Sequence, residues 1–318
     1  MIGKVTAHGN TISITLGHHR YRYDERNLLG AGAMGIVYQG YDVDTGEQVA
    51  IKRVVDNHAN NPEIRLRARQ EADLMFSHPN LVEMLGCCEV AHEYGPIFII
   101  SRYVQGENID IFINNHVRSL PHAERRICEL FFPVLDALSY IHQKGIIHMD
   151  IKPSNIMMEQ GRNVRLMDLG IADVSDTINS STSGLMGTPK YAAPEQFSES
   201  MVSSQLTPAT DIYEAGVTLY ELLTLRNPFS AATVAEAKEM HQGVLLEKTT
   251  MMSSAVYDVL RKATAINPSD RYQSAGQMKM ALKQALQPPE PKVNWLWVGV
   301  AAISFVVIIL LLFYILIR

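Results

Sequence analysis

The chain has 318 residues, of which 47% are hydrophobic and 19% charged, and its formal net charge at pH 7 is -5. This is globular composition, long enough for one large domain or two lobes, and the mild acidity excludes the clustered basic face typical of nucleic-acid binders. The three cysteines (Cys87, Cys88 and Cys128) form no CxxC pair, which argues against a disulfide framework or a zinc site and favours a reducing compartment. We expect all three to be buried small apolar side chains.

The first hundred residues are rich in strand patterns. Residues 1–19 contain two alternating stretches around a His-Gly-Asn turn, which predicts a β-hairpin extension. Such a hairpin covers a sheet edge or, as the alternative, recruits a partner. The run NLLGAGAMGIVYQGYDVDTGEQVAIKRVV then predicts three strands joined by a glycine-rich turn and an Asp-Thr-Gly-Glu turn. PEIRLRARQEADLMFS has helical spacing, and PIFIISRYV predicts a further strand.

The pattern becomes helical from about residue 108. In CELFFPVLDALSYIHQKG, one helix face carries Leu130, Val134, Leu138 and Ile141, and the helix is predicted to stop at Gly145. Loops and helices alternate to about residue 287. The sequence therefore predicts an α+β fold with a β-rich lobe over about 20–104 and a helical lobe over about 105–286.

The C-terminal region has a different composition. QPPEPK predicts a stiff Pro-rich linker over 287–294, and residues 295–317 carry no formal charge. As a helix these 23 residues would extend about 34 Å, enough to cross a bilayer core. Trp295, Trp297 and Tyr314 lie near the two ends, where amphipathic rings prefer the membrane interface. We expect a single transmembrane helix that anchors the chain by its tail.

A glycine-rich run follows the first predicted strand of the small lobe. Gly30, Gly32, Gly35 and Val37 form a GxGxxGxV pattern, and glycines let backbone N–H groups approach phosphates closely. The chain continues as a strand, whereas a helix follows in dinucleotide-binding versions of the motif. Taken alone, the pattern is weak.

Lys52 and Glu71 form a second candidate pair. Lys52 ends the apolar strand VAIK, and Glu71 follows nineteen residues later in a helical run. A lysine beside bound phosphates needs a carboxylate to hold its ammonium group in position. A solvated lysine and an unrelated helix glutamate are the default interpretation of any such pair taken singly.

The stretch HMDIKPSN, residues 148–155, carries the strongest chemistry. Asp150 can accept the proton of an attacking hydroxyl, Lys152 can neutralise charge on a transferred phosphoryl group, and Asn155 can ligate a metal ion. Eighteen residues after Asp150, Asp168 of a DLG motif offers a hard oxygen ligand for Mg²⁺. An Ala-Pro-Glu motif ends at Glu195.

In order and spacing, these motifs resemble the signature set of protein kinases. The phrases GTPKYAAPEQF, DIYEAGVTLYELLTLRNPF and NPSDRYQSA look like those of bacterial-type, eukaryotic-like (Hanks-type) Ser/Thr kinases, and the resemblance covers roughly residues 20–285. It implies a bilobal kinase domain over 20–286, ATP and Mg²⁺ (or Mn²⁺) as cofactors, and protein substrates. KPSN and Thr188 favour serine and threonine over tyrosine as acceptors.

The resemblance also implies roles for individual residues. Asp150 becomes the catalytic base, assisted by Lys152, while Asn155 and Asp168 bind Mg²⁺. Asp211 and a buried Glu195–Arg271 ion pair become structural elements. The implied ATP-binding residues are Leu29, Gly30, Gly32, Gly35, Val37, Ala50, Lys52, Glu71, Ser101, Arg102, Tyr103 and Val104.

Three departures from the family pattern matter. Leu169 replaces the Phe of DFG and can fill the same apolar slot. Met149 replaces the Arg of HRD, which pairs with a phosphate on the activation loop. We therefore expect activity to depend little on loop phosphorylation, and Ser101 as a small gatekeeper to leave space behind the adenine. The candidate phosphosites in this loop are Thr177, Ser180, Ser181, Thr182 and Ser183.

The kinase assignment orients the chain, because ATP is cytosolic. We expect a single-pass protein of the bacterial inner membrane, anchored through 295–317, with its kinase domain in the cytoplasm and a homodimer left open. The main alternative is a nucleotide-binding pseudokinase scaffold, which the retention of Lys52, Asp150 and Asp168 disfavours. A small-molecule phosphotransferase is disfavoured because GTPKYAAPE has the form of a segment that presents a peptide.

Overall fold

The computed structural model describes residues 2–32, 35–54, 76–90, 96–168, 188–197, 206–231, 233–288 and 303–309. The chain divides into two units, Met1–Ala285 and Leu286–Arg318. Seven predicted functional positions lie outside the described residues: Glu71, Leu169, Thr177, Ser180, Ser181, Thr182 and Ser183.

The small lobe is a closed β-barrel with the strand order β1-β2-β3-β4-β5-β7-β6. Neighbouring strands pair antiparallel, except that β1 runs parallel to β6 where it closes the barrel. The strands are β1 (Ile2–His8), β2 (Thr11–Leu16), β3 (His19–Gly32), β4 (Gly35–Asp42), β5 (Gln48–Val54), β6 (Met84–Val90) and β7 (Ile97–Arg102).

The predicted N-terminal hairpin is present as β1 and β2. Its turn contains Gly9, whose positive φ of 60° favours glycine. Strand β1 pairs with the barrel strand β6, with Gly3 opposite Val90. At Gly3 a Cβ atom would lie 2.3 Å from Cys88 Sγ, so the close approach of these strands requires glycine. The hairpin therefore covers a sheet edge, the first of the two roles considered for it.

The barrel interior is apolar and aromatic. Ile14, Ile51 and Ile100 are completely buried, and the rings of Tyr23 and Tyr38 stack with centroids 4.7 Å apart. Burying an aliphatic side chain of this size contributes about 1.5–3 kcal/mol. All three cysteines are buried free thiols, as expected, and burial raises the pKa of two of them, Cys88 to about 11 and Cys128 to about 12.

The large lobe is mainly helical. A short sheet with the order β10-β9-β8 lies in the same unit. The elements are β8 (Gly106–Asn108), α1 (Ile109–Phe112), a π-helical turn (Ile113–Val117), α2 (Ala123–His142), β9 (Ile156–Glu159), β10 (Asn163–Leu166), α3 (Pro208–Thr224), α4 (Val234–Gly243), α5 (Ser254–Ala263) and α6 (Ala275–Ala285). Short 3₁₀ turns cover Pro153–Asn155, Pro194–Phe197 and Pro268–Asp270.

Helices α2 and α3 form the centre of this lobe. Of the predicted α2 face, Val134, Leu138 and Ile141 are completely buried and Leu130 is half-buried. Helix α3 begins at a capping box between Thr207 and Thr210 and is buried on all sides over almost its entire length. A helix with no exposed face belongs to the middle of a core, so its polar side chains must bond within the protein.

The predicted membrane segment is described only in part. Residues 303–309 are helical, with exposed side chains. Within the ranges described above, no helix combines the length and hydrophobicity needed to cross a bilayer.

Candidate active site

A cavity of about 440 Å³ lies between the β-barrel and the first elements of the large lobe. Ten of the predicted nucleotide and metal residues line it: Leu29, Gly30, Val37, Ala50, Lys52, Ser101, Arg102, Tyr103, Val104 and Asp168. Gly32 and Gly35 are not among the lining residues. Apolar side chains missed by the motif analysis complete the wall, among them Phe76, Leu81, Met84, Ile99, Met157 and Leu166.

The glycine-rich run forms the connection between β3 and β4. Gly32 pairs with Gly35 across the two strands. A Cβ atom at Gly35 would lie 2.4 Å from the Arg53 carbonyl oxygen, so this glycine is required by the close approach of β5. A Cβ atom at Gly30 or Gly32 would meet no heavy atom of the described residues within 4 Å, which leaves space for a ligand beside the backbone.

Lys52 and Asp168 meet inside the cavity, although they lie far apart in the sequence. Lys52 occupies β5, in register with Val37 and Ile99, and its Nζ lies 3.9 Å from Asp168 Oδ2. Asp168 has a positive φ of 45°, a backbone conformation that few non-glycine residues adopt. The structure thus places an ammonium group and a carboxylate together in the wall of the cavity.

Asp150 is the centre of a compact hydrogen-bond network. Lys152 Nζ lies 2.6 Å from Asp150 Oδ2, and Thr188 Oγ1 donates to Asp150 Oδ1 at 2.6 Å. Lys152 Nζ also donates to Thr188 Oγ1 at 2.7 Å. Burial by itself would raise the pKa of the Asp150 carboxyl, but the Lys152 ammonium and the Thr188 hydroxyl outweigh it and lower that pKa. Asp150 is therefore an anion at neutral pH.

Asn155 and Asp168 offer the oxygen donors that Mg²⁺ prefers. The Asn155 Nδ2 group donates to both the carbonyl oxygen and Oδ2 of Asp150, each at 2.8 Å. No described residue donates to Asn155 Oδ1, which leaves this oxygen for a cation. The Asn155 carbonyl accepts a hydrogen bond from the Met167 N–H at 2.8 Å. This bond joins residues 148–155, here named the catalytic loop after its predicted role, to the Asp168 segment. This donor set fits Mg²⁺, which takes few protein ligands and completes its shell with water and substrate phosphates.

Helix α3 is hydrogen-bonded to the backbone of the catalytic loop. Asp211 is completely buried and accepts hydrogen bonds from the backbone N–H groups of His148 and Met149, at 2.8 and 2.9 Å. His142 Nε2 also lies 2.7 Å from Asp211 Oδ2. His148 Nε2 lies 3.0 Å from the Met167 carbonyl, an acceptor, so this nitrogen carries the ring proton. Burial lowers the pKa of His148, which keeps the imidazole neutral.

Met149 occupies an apolar environment. Its side chain is buried and packs against Ile147 and Leu206. Its φ of 65° is positive, and its backbone N–H is held by Asp211 Oδ1. The position that precedes Asp150 therefore contributes to packing and carries no charge.

Glu195 and Arg271 form a buried, bidentate ion pair. Their two N···O distances are 2.7 and 2.9 Å. The Arg271 side chain is completely buried and also donates to the carbonyls of Ala209, Ala265 and Ile266. The pair joins the Ala-Pro-Glu segment to the start of α3 and to the loop after α5.

Several supporting contacts escaped the motif analysis. Arg102 Nη2 donates to Glu159 Oε1 at 2.6 Å, so its side chain is anchored to β9. On α4, His241 Nε2 donates to the Pro189 carbonyl and its Nδ1 accepts from the Tyr213 hydroxyl. Burial lowers the pKa of His241 to about 4, so the ring is neutral at physiological pH. No local motif marks these contacts, because only the tertiary structure brings the partners together.

Comparison with known proteins places this geometry in a family. A protein kinase domain model matches residues 23–286. The chain is 34% identical to the serine/threonine-protein kinase PknB of Mycolicibacterium smegmatis, over 87% of this chain and 45% of that protein. It is 32% identical to the serine/threonine-protein kinase PrkC of Bacillus subtilis, over 83% of this chain and 40% of that protein. The chain thus spans less than half the length of these relatives.

The solved structures agree on the fold. The Mycobacterium tuberculosis PknI kinase domain superimposes with a TM-score of 0.62 at 23% identity, covering 83% of this chain and 95% of that domain. The fold is therefore the bilobal α+β fold of protein kinases. The chain belongs to the protein kinase family, and its curated relatives are bacterial serine/threonine kinases. The predicted kinase fold is confirmed.

Proposed function

We propose that this protein is an active Ser/Thr protein kinase that transfers the γ-phosphoryl group of ATP to hydroxyl groups of proteins. The observation that carries the proposal is the network of Asp150, Lys152, Thr188 and Asn155, which the Asn155 carbonyl joins to Met167 of the cavity wall. A scaffold that only binds nucleotide has no need for a charged, hydrogen-bonded base in this position.

Different residues of the chain have separate roles in this reaction. Asp150 accepts the proton of the attacking hydroxyl, because its lowered pKa keeps it ionised. Lys152 stabilises negative charge on the transferred group, and Lys52 binds the phosphates above it. Asn155 and Asp168 would hold Mg²⁺, or Mn²⁺ in its place, which when bound neutralises charge on the phosphates.

The nucleotide base occupies the apolar part of the cavity in this proposal. Ser101 lies opposite Ala50 of β5 and Met84 of β6, at the back of the cavity beside Ile99. Because serine is small, the space behind the adenine stays open. The kinase therefore accepts ATP analogues that carry a bulky substituent on the purine.

Activity depends little on phosphorylation of the activation loop, because the residue before Asp150 cannot bind a phosphate. The arginine that would pair with such a phosphate is replaced by Met149, which is buried in apolar packing. An apolar side chain offers no charge-assisted hydrogen bond to a phosphate. Regulation then comes from a partner, from the membrane or from assembly into a homodimer.

Membrane attachment through residues 295–317 is part of the proposal. The segment has 23 residues without a formal charge, and its described part, 303–309, is helical with exposed apolar side chains. We place the kinase domain on the cytoplasmic side, where ATP is available. Fractionation of cells expressing the full chain, with 295–317 intact or replaced by a Gly-Ser linker, tests this; equal recovery in the soluble fraction contradicts it.

The deciding experiment for catalysis measures phosphate incorporation from γ-labelled ATP and Mg²⁺ by the full chain in detergent. A generic basic protein serves as acceptor, and the Asp150→Asn variant serves as the matched blank. We expect label on serine and threonine that disappears in the variant. ATP binding without any incorporation would refute the kinase proposal and favour the scaffold.

A further inference from the structure

A second acidic side chain of α3, Glu214, lies directly beneath the catalytic loop. Glu214 is completely buried, and its Oε2 accepts a hydrogen bond of 2.8 Å from the backbone N–H of Ile151, the residue after Asp150. From the next turn of the helix, Thr218 Oγ1 donates to the Ile151 carbonyl at 2.8 Å. Both backbone polar groups of Ile151 are therefore held by side chains of α3.

These contacts extend the support that Asp211 provides to the residues before Asp150. Asp211, Glu214 and Thr218 are spaced i, i+3 and i+7, so they share one face of α3. Between them they make four hydrogen bonds to the backbone of residues 148–151. The backbone is held on both sides of Asp150, and the base cannot shift without breaking one of these bonds.

Glu214 also contacts the segment expected to bind the acceptor peptide. Gln196 is completely buried, and its side chain is close enough to the Glu214 carboxyl to lower the pKa of that group. The Oε1 atom of Gln196 accepts the backbone N–H of Ala193. The Glu214 carboxyl is thus hydrogen-bonded to Ile151 of the catalytic loop and lies beside Gln196 of the Ala-Pro-Glu segment.

The surroundings of Glu214 favour an uncharged carboxylic acid. Burial raises its pKa well above the usual range, and the negative charges of Asp211 and Asp150 raise it further. The negative charge of Asp150 is balanced by Lys152, and that of Asp211 is stabilised by three hydrogen-bond donors. In contrast, Glu214 Oε1 has no hydrogen-bond partner among the residues described. Glutamine is therefore a close mimic of the group, in both shape and charge.

We infer that Glu214 is a positioning residue for phosphoryl transfer, which fixes the catalytic loop and the acceptor-binding segment relative to each other. Its carboxyl touches neither nucleotide nor acceptor and acts through Ile151 and Gln196. The inference rests on the proposed kinase activity, because it assigns Glu214 a role in that reaction.

Two substitutions at this position separate hydrogen bonding from packing. Glu214→Gln retains an acceptor for the Ile151 N–H, and we expect kcat within about 3-fold of the wild-type value. Glu214→Leu keeps a similar volume but removes the acceptor, and we expect kcat to fall by about 10-fold or more while KM for ATP is unchanged. If Glu214 had only a structural role, both substitutions would lower Tm, and kcat would not fall in Glu214→Leu while staying near the wild-type value in Glu214→Gln.

Thr224→Val provides the matched control. Thr224 is a buried polar residue of the same helix, and its hydroxyl donates to the Tyr220 carbonyl at 2.8 Å. Among the described residues, it makes no hydrogen bond to the catalytic loop. We expect this variant to lose stability and to keep the wild-type kcat at temperatures well below its Tm.

Amide hydrogen exchange of the full chain gives a readout that does not depend on catalysis. The peptide that contains Ile151 should exchange faster in Glu214→Leu than in the wild type, in Glu214→Gln or in Thr224→Val. Wild-type exchange and wild-type kcat in Glu214→Leu would overturn the inference. If the wild type transfers no phosphate, the proposed function fails, and the exchange rates alone decide whether Glu214 holds the loop.

A second variant tests the proposed coupling of Glu214 to the acceptor-binding segment. It also replaces Glu214→Leu as the test if that variant does not fold. Gln196→Met removes the amide that approaches Glu214 while preserving length and burial. We expect KM for the protein acceptor to rise by about 5-fold or more, with KM for ATP unchanged. An unchanged acceptor KM would contradict the coupling of Glu214 to the acceptor segment.

Discussion

Removal of the Thr188 hydroxyl should weaken catalysis through Asp150. Thr188 Oγ1 donates to Asp150 Oδ1 at 2.6 Å and accepts from Lys152 Nζ at 2.7 Å, so Thr188→Val deletes two hydrogen bonds to charged groups. Each such bond contributes about 1.5–3 kcal/mol when buried. The site is half-buried, so we take the lower end for both bonds, about 3 kcal/mol together, which corresponds to a loss of about 100-fold in kcat/KM.

The same change should shift the pH dependence in a defined direction. Burial raises the pKa of the Asp150 carboxyl, and Lys152 and Thr188 together bring it below the usual value. Without the Thr188 hydroxyl this pKa rises, so Asp150 takes up a proton at a higher pH. As the pH falls, Thr188→Val should therefore lose activity earlier than the wild type.

Steady-state phosphate transfer measured across pH tests both expectations. Thr188→Ser retains the hydroxyl and serves as the control, with kcat/KM expected within about 5-fold of the wild type. The reasoning fails if Thr188→Val has wild-type kcat/KM and an acid limb at the wild-type position. It also fails if Thr188→Ser loses as much activity as Thr188→Val, because the methyl group and not the hydroxyl would then matter.

Three further predictions concern stability, ligand choice and regulation. Arg271→Met leaves the largely buried Glu195 carboxylate with the Thr210 hydroxyl but without its ion-pair partner, and urea unfolding should show a loss of about 3 kcal/mol; a loss below about 1 kcal/mol would contradict a stabilising ion pair. Ser101→Met should weaken binding of purine-substituted ATP analogues by about 10-fold or more while sparing ATP, as measured by competition; equal binding of the analogues by both forms argues against an open space behind the base. Simultaneous alanine substitution of the five candidate phosphosites should leave kcat within about 3-fold of the wild type, since Met149 offers no partner for a phosphate; near-complete loss would show that the loop is required.

The local motifs were sufficient to find the chemistry, because each depends on residues close together in the chain. Asp150, Lys152 and Asn155 lie within six residues, and their hydrogen bonds follow from a single loop. Arg102, Tyr103 and Val104 could also be placed at the cavity, because they directly follow an apolar strand. The hairpin could be predicted for the same reason, since its two strands are joined by a two-residue turn that contains Gly9.

The supporting contacts could not be predicted in this way. Glu214 and Thr218 appear in the sequence as ordinary helix residues, and nothing nearby in the chain marks their bonds to Ile151, more than sixty residues away. Closure of the barrel by β1 against β6 depends on a parallel pairing between distant segments. Such pairings are set by packing of the whole lobe and leave no periodic trace in either strand.

The amino-acid sequence by itself was sufficient to identify the class of protein, and it predicts which groups react. Phosphoryl transfer needs a small set of side chains in a fixed local order, and that order can be recognised in the amino-acid sequence. The resemblance marked Asp211 and Arg271 as structural, but only the tertiary structure decided which backbone groups they bond and added Glu214 from the same, almost entirely buried helix. Buried polar groups must find partners wherever the fold brings them, so their roles become visible only once the chain is folded.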